Sequence, residues 1–238
     1  MTTLAAILRA VEAGVLPAPD LGLTVVPAPS ERDSAVVAFT GHTVIAADVS
    51  AEWVAERVPE GDLGAPASPA FLQALAERTG RRAGATDAML LAPAITDPAS
   101  RTTAIEGLTA LDDHDHPRVE RALEYRDDVQ VYGDEYGAVV ITGRGLADRL
   151  ECAIELPDDI RGRGHGRRLA RAARALIPAD ASIWAQITPG NAASLRAFLA
   201  AGYQPIGSET LLSTWRTGEQ HVANSHNPQP VENPGDYR

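Results

Sequence analysis

Apolar residues recur every third or fourth position near the start of the chain, and short apolar runs follow. Residues 4–15 therefore predict a short amphipathic helix. Strand-like segments follow at 23–26, 35–40 and 43–48. The last two are joined tightly through Gly41-His42, which favours a hairpin. Ser50 and Ser68 each precede an apolar-periodic run and are predicted helix N-caps, with a Pro- and Gly-rich loop at 59–69 between them.

A second pattern begins beyond residues 79–85, where Gly and Arg mark a predicted boundary. Strands are predicted at 88–94, 129–132, 138–142, 151–156, 182–187, 204–207 and 210–215. Helices are predicted at 99–111, 116–125, 166–177 and 191–201. Gly143-Arg144-Gly145 is expected to join two paired strands. The chain is thus predicted to hold a small N-terminal α+β segment of unknown role at 1–85, an α/β domain at 86–216 and a disordered polar tail at 217–238.

Charge and composition narrow the possible functions. The 238 residues carry a formal net charge of −11, which disfavours a nucleic-acid partner. All 21 Lys or Arg positions are arginine, which excludes a P-loop lysine, a pyridoxal Schiff base and a catalytic lysine amine. Cys152 is the one cysteine, so no intrachain disulfide can form. Neither a signal peptide nor a membrane-length apolar run is present, so we expect a cytoplasmic protein without membrane partners.

The most informative segment is Arg161-Gly162-Arg163-Gly164-His165-Gly166, between a predicted strand and a predicted helix. Such a unit points unpaired backbone N–H groups and the positive end of a helix dipole at one place, which favours a phosphate. Arg167, Arg168, Arg171 and Arg174 extend the basic stretch. A dinucleotide-binding G-x-G-x-x-G fails because its last glycine would fall on Arg167. The alternative is an ordinary helix start with a solvated arginine face.

Three further motifs follow this R-x-x-G-x-G loop at suitable spacing. They are Trp184-Ala185-Gln186-Ile187, then Pro189-Gly190-Asn191-Ala192-Ala193-Ser194, then Ala201-Gly202-Tyr203. Together they resemble the GNAT superfamily of acyl-CoA-dependent N-acyltransferases, strongly over residues 152–207. The resemblance implies an α/β (α+β) fold with a mixed, mostly antiparallel sheet flanked by helices. It also implies transfer of an acetyl group from acetyl-CoA to a primary amine. A catalytically weak or inactive acyl-CoA-binding module, acting as a sensor or scaffold, is the alternative.

The resemblance also implies which residues bind the acyl-CoA, mainly through backbone amides of the strand end and the loop. These residues are Leu156, Asp158, Ile160, Arg161, Gly162, Arg163, Gly164, His165, Gly166, Arg167, Asn191, Ser194 and Phe198. Asn191 is in addition a predicted helix N-cap. The acceptor is expected to be a small-molecule or peptide amine. No oligomeric state follows from the sequence, a homodimer being one option.

Two residues are candidate catalytic groups. Glu155 shares one face of a predicted strand with Glu151 and could be the base that deprotonates the amine, or it could be an arginine-paired carboxylate. Phe198 occupies the position where many members of the family carry a tyrosine that protonates the leaving thiolate. Phenylalanine cannot do so, which leaves three alternatives: water or Tyr203 is the acid, the thiolate leaves unassisted, or catalysis is weak. A core packing role is the alternative for Tyr203.

The run Asp112-Asp113-His114-Asp115-His116-Pro117 has the residue types of a metal site. We interpret it as an acidic connector at a helix start and predict no metal. Cys152 is predicted to be a small buried apolar residue. Trp53, Trp184 and Trp215 are predicted core residues.

Overall fold

A computed structural model describes residues 2–112 and 116–214 of the protein. Its centre is one mixed sheet of ten strands. The strands are β1 Gly22–Val26, β2 Asp33–Phe39, β3 His42–Ala46, β4 Arg82–Pro93, β5 Thr109–Leu111, β6 Asp127–Gly133, β7 Val139–Arg144, β8 Leu150–Glu155, β9 Ser182–Ile187 and β10 Gln204–Ser213. The seven α-helices of the described residues are α1 Leu4–Glu12, α2 Ala51–Ala55, α3 Pro69–Thr79, α4 Pro98–Ile105, α5 Pro117–Tyr125, α6 His165–Leu176 and α7 Ala192–Ala200.

Side-chain caps fix where most of these helices begin. Ser50 and Ser68 accept hydrogen bonds from the backbone N–H groups of Trp53 and Phe71, which confirms both predicted N-caps. Asn191 likewise caps α7 by accepting from the N–H of Ser194. Helix α6 differs, because its N-cap is Gly164 and no side chain caps it. The unsatisfied N–H groups of a helix start therefore remain available at α6.

The strand order is β1-β3-β2-β10-β4-β9-β8-β7-β6-β5. Neighbouring strands are antiparallel except in the pairs β1–β3 and β8–β9. This mixed, mostly antiparallel sheet confirms the expected fold class. Strands from both sides of the boundary predicted near residue 85 belong to the same sheet, and β4 itself spans that boundary. The division into segments 1–85 and 86–216 stays a prediction.

Alternate residues of the central strands pack into different cores. Leu90 of β4 lies in the cluster beneath α6 and α7, whereas its neighbour Met89 lies in the cluster beneath α1 together with Trp184. Helices α2 and α3 cover a third cluster that includes Val36 of β2. The core role predicted for Trp184 is confirmed, since its side chain is fully buried.

Three predicted elements, one helix and two strands, were wrong. The helix predicted at 99–111 ends at Ile105, because Gly107 adopts a left-handed backbone with φ +76°, and Thr109–Leu111 instead pairs with β6. The strands predicted at 204–207 and 210–215 are one strand, β10, whose pairing with β4 shifts register near Pro205.

The hairpin predicted around Gly143-Arg144-Gly145 is confirmed as the β7–β8 pair, with a 3₁₀ turn at Leu146–Asp148 in the connection. The tail at 217–238, Trp215 and residues 113–115 lie outside the described residues. In the part of the chain that is described, no helix is long and apolar enough to cross a membrane.

Candidate active site

The sheet opens between its two parallel central strands. Among the described residues, the pairing between β8 and β9 is limited to one residue pair, Glu151 of β8 with Trp184 of β9. Beyond that pair, β8 continues along β7 and β9 continues along β4. The facing edges of both strands thus present backbone N–H and C=O groups that have no strand partner. The glycine loop and α6 follow directly from the β8 end of this opening.

The loop before α6 has the geometry of an anion site. Gly162 and Gly164 have φ values of +77° and +90°, a backbone region that only glycine adopts readily. A Cβ built on either residue meets nothing within 4 Å, so the loop is open on its outer side. The uncapped N–H groups of α6 and its dipole favour a negative group there. His165 adds a buried ring nitrogen, Nδ1, that has no hydrogen-bond partner.

Gly166 has a different environment from the other two loop glycines. A Cβ at this position would lie 3.4 Å from Cβ of Ala197 in α7 and 3.7 Å from Cδ1 of Leu156. A methyl group here would make ordinary contacts with α7 and the end of β8. A larger side chain at Gly166 would disturb this packing as well as the loop.

The basic residues of the loop and α6 divide into two groups. Arg161, Arg168 and Arg174 have structural partners: Arg161 bonds the Leu156 carbonyl, Arg168 pairs with Asp134, and Arg174 bonds backbone carbonyls at 2.9 and 2.7 Å. The other three arginines of this stretch, Arg163, Arg167 and Arg171, are exposed and have no ion pair among the described residues. Half of the basic stretch therefore anchors the fold, and Arg163 and Arg167 stand free beside the loop.

The strand end that leads into the loop is a short 3₁₀ turn, Asp158–Ile160. The Ile160 side chain lies in the core, whereas Asp158 is exposed and accepts from Arg161 at 2.6 Å. The Ile160 N–H is bonded to the Pro157 carbonyl at 3.3 Å, and the Leu156 carbonyl accepts from Arg161. Of the residues predicted to bind acyl-CoA here, Leu156 could contribute its backbone N–H.

A cavity of about 430 Å³ adjoins the opening between β8 and β9. Both strands contribute to its wall, together with β4, β10, α5 and α7. Ser194 and Phe198, one turn apart on α7, both line it. Gly84 and Ala85 of β4 also line it, so residues of the predicted N-terminal segment form part of the wall.

A buried ion network forms one side of the cavity. The guanidinium of Arg149 donates to Oε1 of Glu151 at 2.8 Å and to Oε1 of Glu209 at 2.7 Å. Arg126 donates to the other oxygen of Glu151 at 3.0 Å. The indole ring of Trp184 lies 5.0 Å from the Arg149 guanidinium, and its Nε1 donates to Glu12 of α1 at 2.6 Å. The N-terminal helix is thus tied to the residue that supports this network.

The two glutamates of this network differ in their pKa. Burial raises the pKa of Glu151, but Arg149 and Arg126 outweigh burial, and the net pKa is lowered. Burial also raises the pKa of Glu209, and there the single guanidinium of Arg149 does not compensate. Its cross-strand neighbour Asp87 raises it further. Of these two glutamates, Glu209 is therefore the one that more readily holds a proton.

Glu209 also has an unused oxygen. Its residue is 2% exposed, and Oε2 has no hydrogen-bond partner. Gln186 of β9 lines the same cavity and has a buried Nε2 without a partner. An unsatisfied acceptor and an unsatisfied donor in one cavity wall indicate a place where a polar ligand completes the hydrogen bonding.

The two predicted catalytic residues lie apart from this wall. Glu155 pairs with Arg118 at 3.1 Å and Arg161 at 3.4 Å, and its side chain is 35% exposed. The hydroxyl of Tyr203 lies 3.4 Å from Sγ of Cys152, and burial raises the pKa of Tyr203 well above its usual range. Neither Glu155 nor Tyr203 belongs to the described residues that line the cavity. Both catalytic roles stay predictions, and both positions match the alternatives of an arginine-paired carboxylate and a core residue.

Sequence reasoning missed the ion network as a unit. A signal existed, since Arg149 and Glu151 alternate within an apolar strand and Glu209 interrupts another. The buried apolar role predicted for Cys152 is confirmed, and burial raises its pKa to about 11. His116 accepts from the N–H of Arg118 and caps α5, as expected of a residue at a helix start. Residues 2–112 and 116–214 contain no group of three or more metal-ligating side chains that could hold an ion.

Comparisons with known proteins found distant similarity among solved structures. No protein-family model matches the chain, and no curated protein sequence matches it. Among solved structures, the chain is similar to a GNAT-family protein from Novosphingobium aromaticivorans DSM 12444, with 21% identity and a TM-score of 0.37, over 58% of this chain and 69% of that one. It is also similar to a GCN5-related N-acetyltransferase from Kribbella flavida, with 15% identity and a TM-score of 0.37, over 60% of this chain and 63% of that one.

A third similar structure is a GCN5-related N-acetyltransferase-like protein from Streptococcus suis 89/1591. It has 14% identity and a TM-score of 0.35, over 63% of this chain and 69% of that one. Likeness this distant shows neither the substrate nor the mechanism of this chain.

Proposed function

We propose that this chain is an N-acyltransferase that moves an acyl group from an acyl-CoA, with acetyl-CoA as donor, to a primary amine. The observation that carries the proposal is the uncapped start of α6, with its two positive-φ glycines, beside the open edges of β8 and β9. An anion site at a helix start suits a pyrophosphate, and an open strand edge suits an extended, amide-bearing arm.

On the donor side, backbone N–H groups from residues 162–166 hold the pyrophosphate, and Arg163 and Arg167 add positive charge. The arm passes between β8 and β9 along the first turns of α7, where Ser194 and Phe198 line the cavity. Phe198 supplies an apolar wall next to the thioester.

On the acceptor side, the amine occupies the cavity beside Glu209. The ammonium first loses one proton to the free Oε2 of Glu209. The neutral amine nitrogen then attacks the thioester carbonyl carbon, the C–S bond breaks, and the second proton leaves the nitrogen to water. Arg149 holds Glu209 in place through Oε1 and leaves Oε2 available. The departing thiolate takes its proton from water, since the Tyr203 hydroxyl is buried against Cys152.

A thiol-release assay with acetyl-CoA and a panel of primary amines tests this function. The proposal predicts amine-dependent release of one thiol per amide formed. The alternative, an acyl-CoA-binding module without turnover, predicts binding of CoA with no amine-dependent release. Absence of both binding and release would contradict both.

A further inference from the structure

The cavity is lined by charges of both signs. Its carboxylate wall consists of Asp87, Glu151 and Glu209, in the sheet strands β4, β8 and β10. Its helix wall carries Arg118 and Arg121 of α5, and Arg126 directly follows that helix and pairs with Glu151. A cavity lined by both signs of charge favours a ligand that itself carries both charges.

The carboxylate wall is incomplete without a ligand. Glu209 lines the cavity and is 2% exposed, and its buried Oε2 has no hydrogen-bond partner. Asp87 stands directly across from it in the β4–β10 pair and accepts from Thr188 at 2.8 Å. A primary ammonium brings several N–H donors, so one group can serve both carboxylates. This wall therefore fits the reacting amine.

The helix wall contains one arginine that has no ion pair among the described residues. Arg118 and Arg126 each have an ion pair, with Glu155 and Glu151 respectively. Arg121 is exposed and has no carboxylate partner among the described residues; its guanidinium lies 5.5 Å from the ring centroid of Tyr125. Arg118 lies one turn before Arg121 on the same face of α5, and both line the cavity. An anionic group on the ligand could therefore form an ion pair with the guanidinium of Arg121.

We infer that the acceptor is a small amino compound with an anionic group, such as a free amino acid, held with its amine at Glu209 and Asp87 and its anion at Arg121. The inference rests on the proposed function, because it names the acceptor of that same site. A cavity of about 430 Å³ is of the size that small ligands occupy. The second positive charge of a polyamine would be repelled by the Arg121 guanidinium. An amine without an anionic group would leave the Arg121 guanidinium without a partner.

Matched sets of acceptors test the inference by steady-state thiol release. One set compares γ-aminobutyrate with butylamine and 1,4-diaminobutane, which carry a methyl and an aminomethyl group where the amino acid has its carboxylate. A second set compares leucine with isopentylamine, which lacks the carboxylate, and with leucinamide, in which a neutral amide replaces it. Phosphoethanolamine distinguishes a phosphate from a carboxylate as the anion. A short acidic peptide distinguishes a free amino acid from a chain terminus. We expect kcat/KM to be at least tenfold higher for the best amino acid than for its uncharged counterpart, a difference of about 1.4 kcal/mol.

Two variants locate the anion. Arg121→Gln should bring the ratio between the amino acid and the neutral amine close to one, chiefly through KM. Arg121→Glu should favour the diamine. Arg78→Gln, on the exposed side of α3, is the matched control and should leave the ratio unchanged. The ratio separates loss of recognition from loss of folded protein, since misfolding lowers both rates together.

The outcomes distinguish this inference from the proposed function. Equal or better turnover of neutral amines, or a ratio unchanged in Arg121→Gln, would overturn the inference and leave acyl transfer standing. If no amine releases thiol, calorimetry of the CoA-loaded protein with the same sets decides the acceptor class by binding alone. No preference for the amino acid in that titration would overturn the inference, and no binding of CoA at all would overturn the proposed function.

Discussion

Replacing Glu209 with glutamine separates the chemical role of this carboxylate from its structural role. Glutamine keeps the shape of the side chain and an acceptor oxygen for Arg149, but it cannot take a proton from an amine. The free Oε2, buried in the cavity wall, is the atom that the change disables. Glu155→Gln is the matched comparison, because the sequence pointed to Glu155 as the base and its carboxylate pairs with Arg118 and Arg161.

The expected loss of rate follows from the magnitude of general base catalysis, about 10²–10⁴-fold. A hundredfold loss corresponds to about 2.7 kcal/mol of transition-state stabilisation. The folding cost is smaller: the charge-assisted bond from Arg149 becomes a neutral one, a difference of about 1–2 kcal/mol. Removing a buried charge offsets part of that cost. Glu209→Gln should therefore fold and bind CoA, and it should lose far more rate than Glu155→Gln.

The pH dependence gives an independent check on the same residue. The base must be deprotonated to act, and the pKa of Glu209 is raised above the ordinary value of 4.5. The rate of the parent should therefore fall with decreasing pH at a midpoint above 4.5, and this acid limb should be absent from the residual rate of Glu209→Gln. The test is to measure single-turnover thiol release across pH, together with the CoA affinity of Glu209→Gln and Glu155→Gln. Parental rate in a Glu209→Gln protein that binds CoA normally would refute the role, and a greater loss in Glu155→Gln would move it to that residue.

Three further changes test other parts of the account. Gly164→Ala places a side chain at φ +90°, which costs about 1–2 kcal/mol of backbone strain, and calorimetry should show CoA binding weakened at least tenfold. The control is Gly14→Ala, which has a similar φ of +83° and equal space around it and should bind CoA as the parent does. Tyr203→Phe should change the rate less than threefold, because its hydroxyl faces the core; a hundredfold loss would restore the tyrosine as the acid. Trp184→Phe removes the bond to Glu12 and should lower the free energy of unfolding by about 1–3 kcal/mol in urea titrations, whereas an unchanged midpoint would mean that α1 is not held by this bond.

Local chemistry made much of the site predictable. The helix starts at Ser50, Ser68 and Asn191 were identified correctly because a cap depends on residues within one turn. The strand, glycine loop and helix around Gly164 were identifiable for the same reason. Where a local signal was overlooked, at Gly107, the predicted helix ran too far.

Long-range pairing was not predictable in this way. Apolar periodicity indicates which face of a strand is buried, but not which strand lies beside it. Nothing in the sequence indicated that β10 would lie between β2 and β4. The contact between Arg149 and Glu209, 60 residues apart, depends on that arrangement. The cavity wall and its candidate base therefore became visible only with the sheet order.

A calorimetric titration of the purified protein with CoA tests the central claim most directly, because the loop before α6 is the part of the account on which donor binding, acyl transfer and the acceptor all depend. We predict a single site with a Kd in the low-to-mid micromolar range. CoA at a hundred times Kd should stabilise the fold by about 2.7 kcal/mol, seen as a higher Tm. No heat and no change in Tm at millimolar CoA would contradict the claim that the start of α6 is a pyrophosphate site.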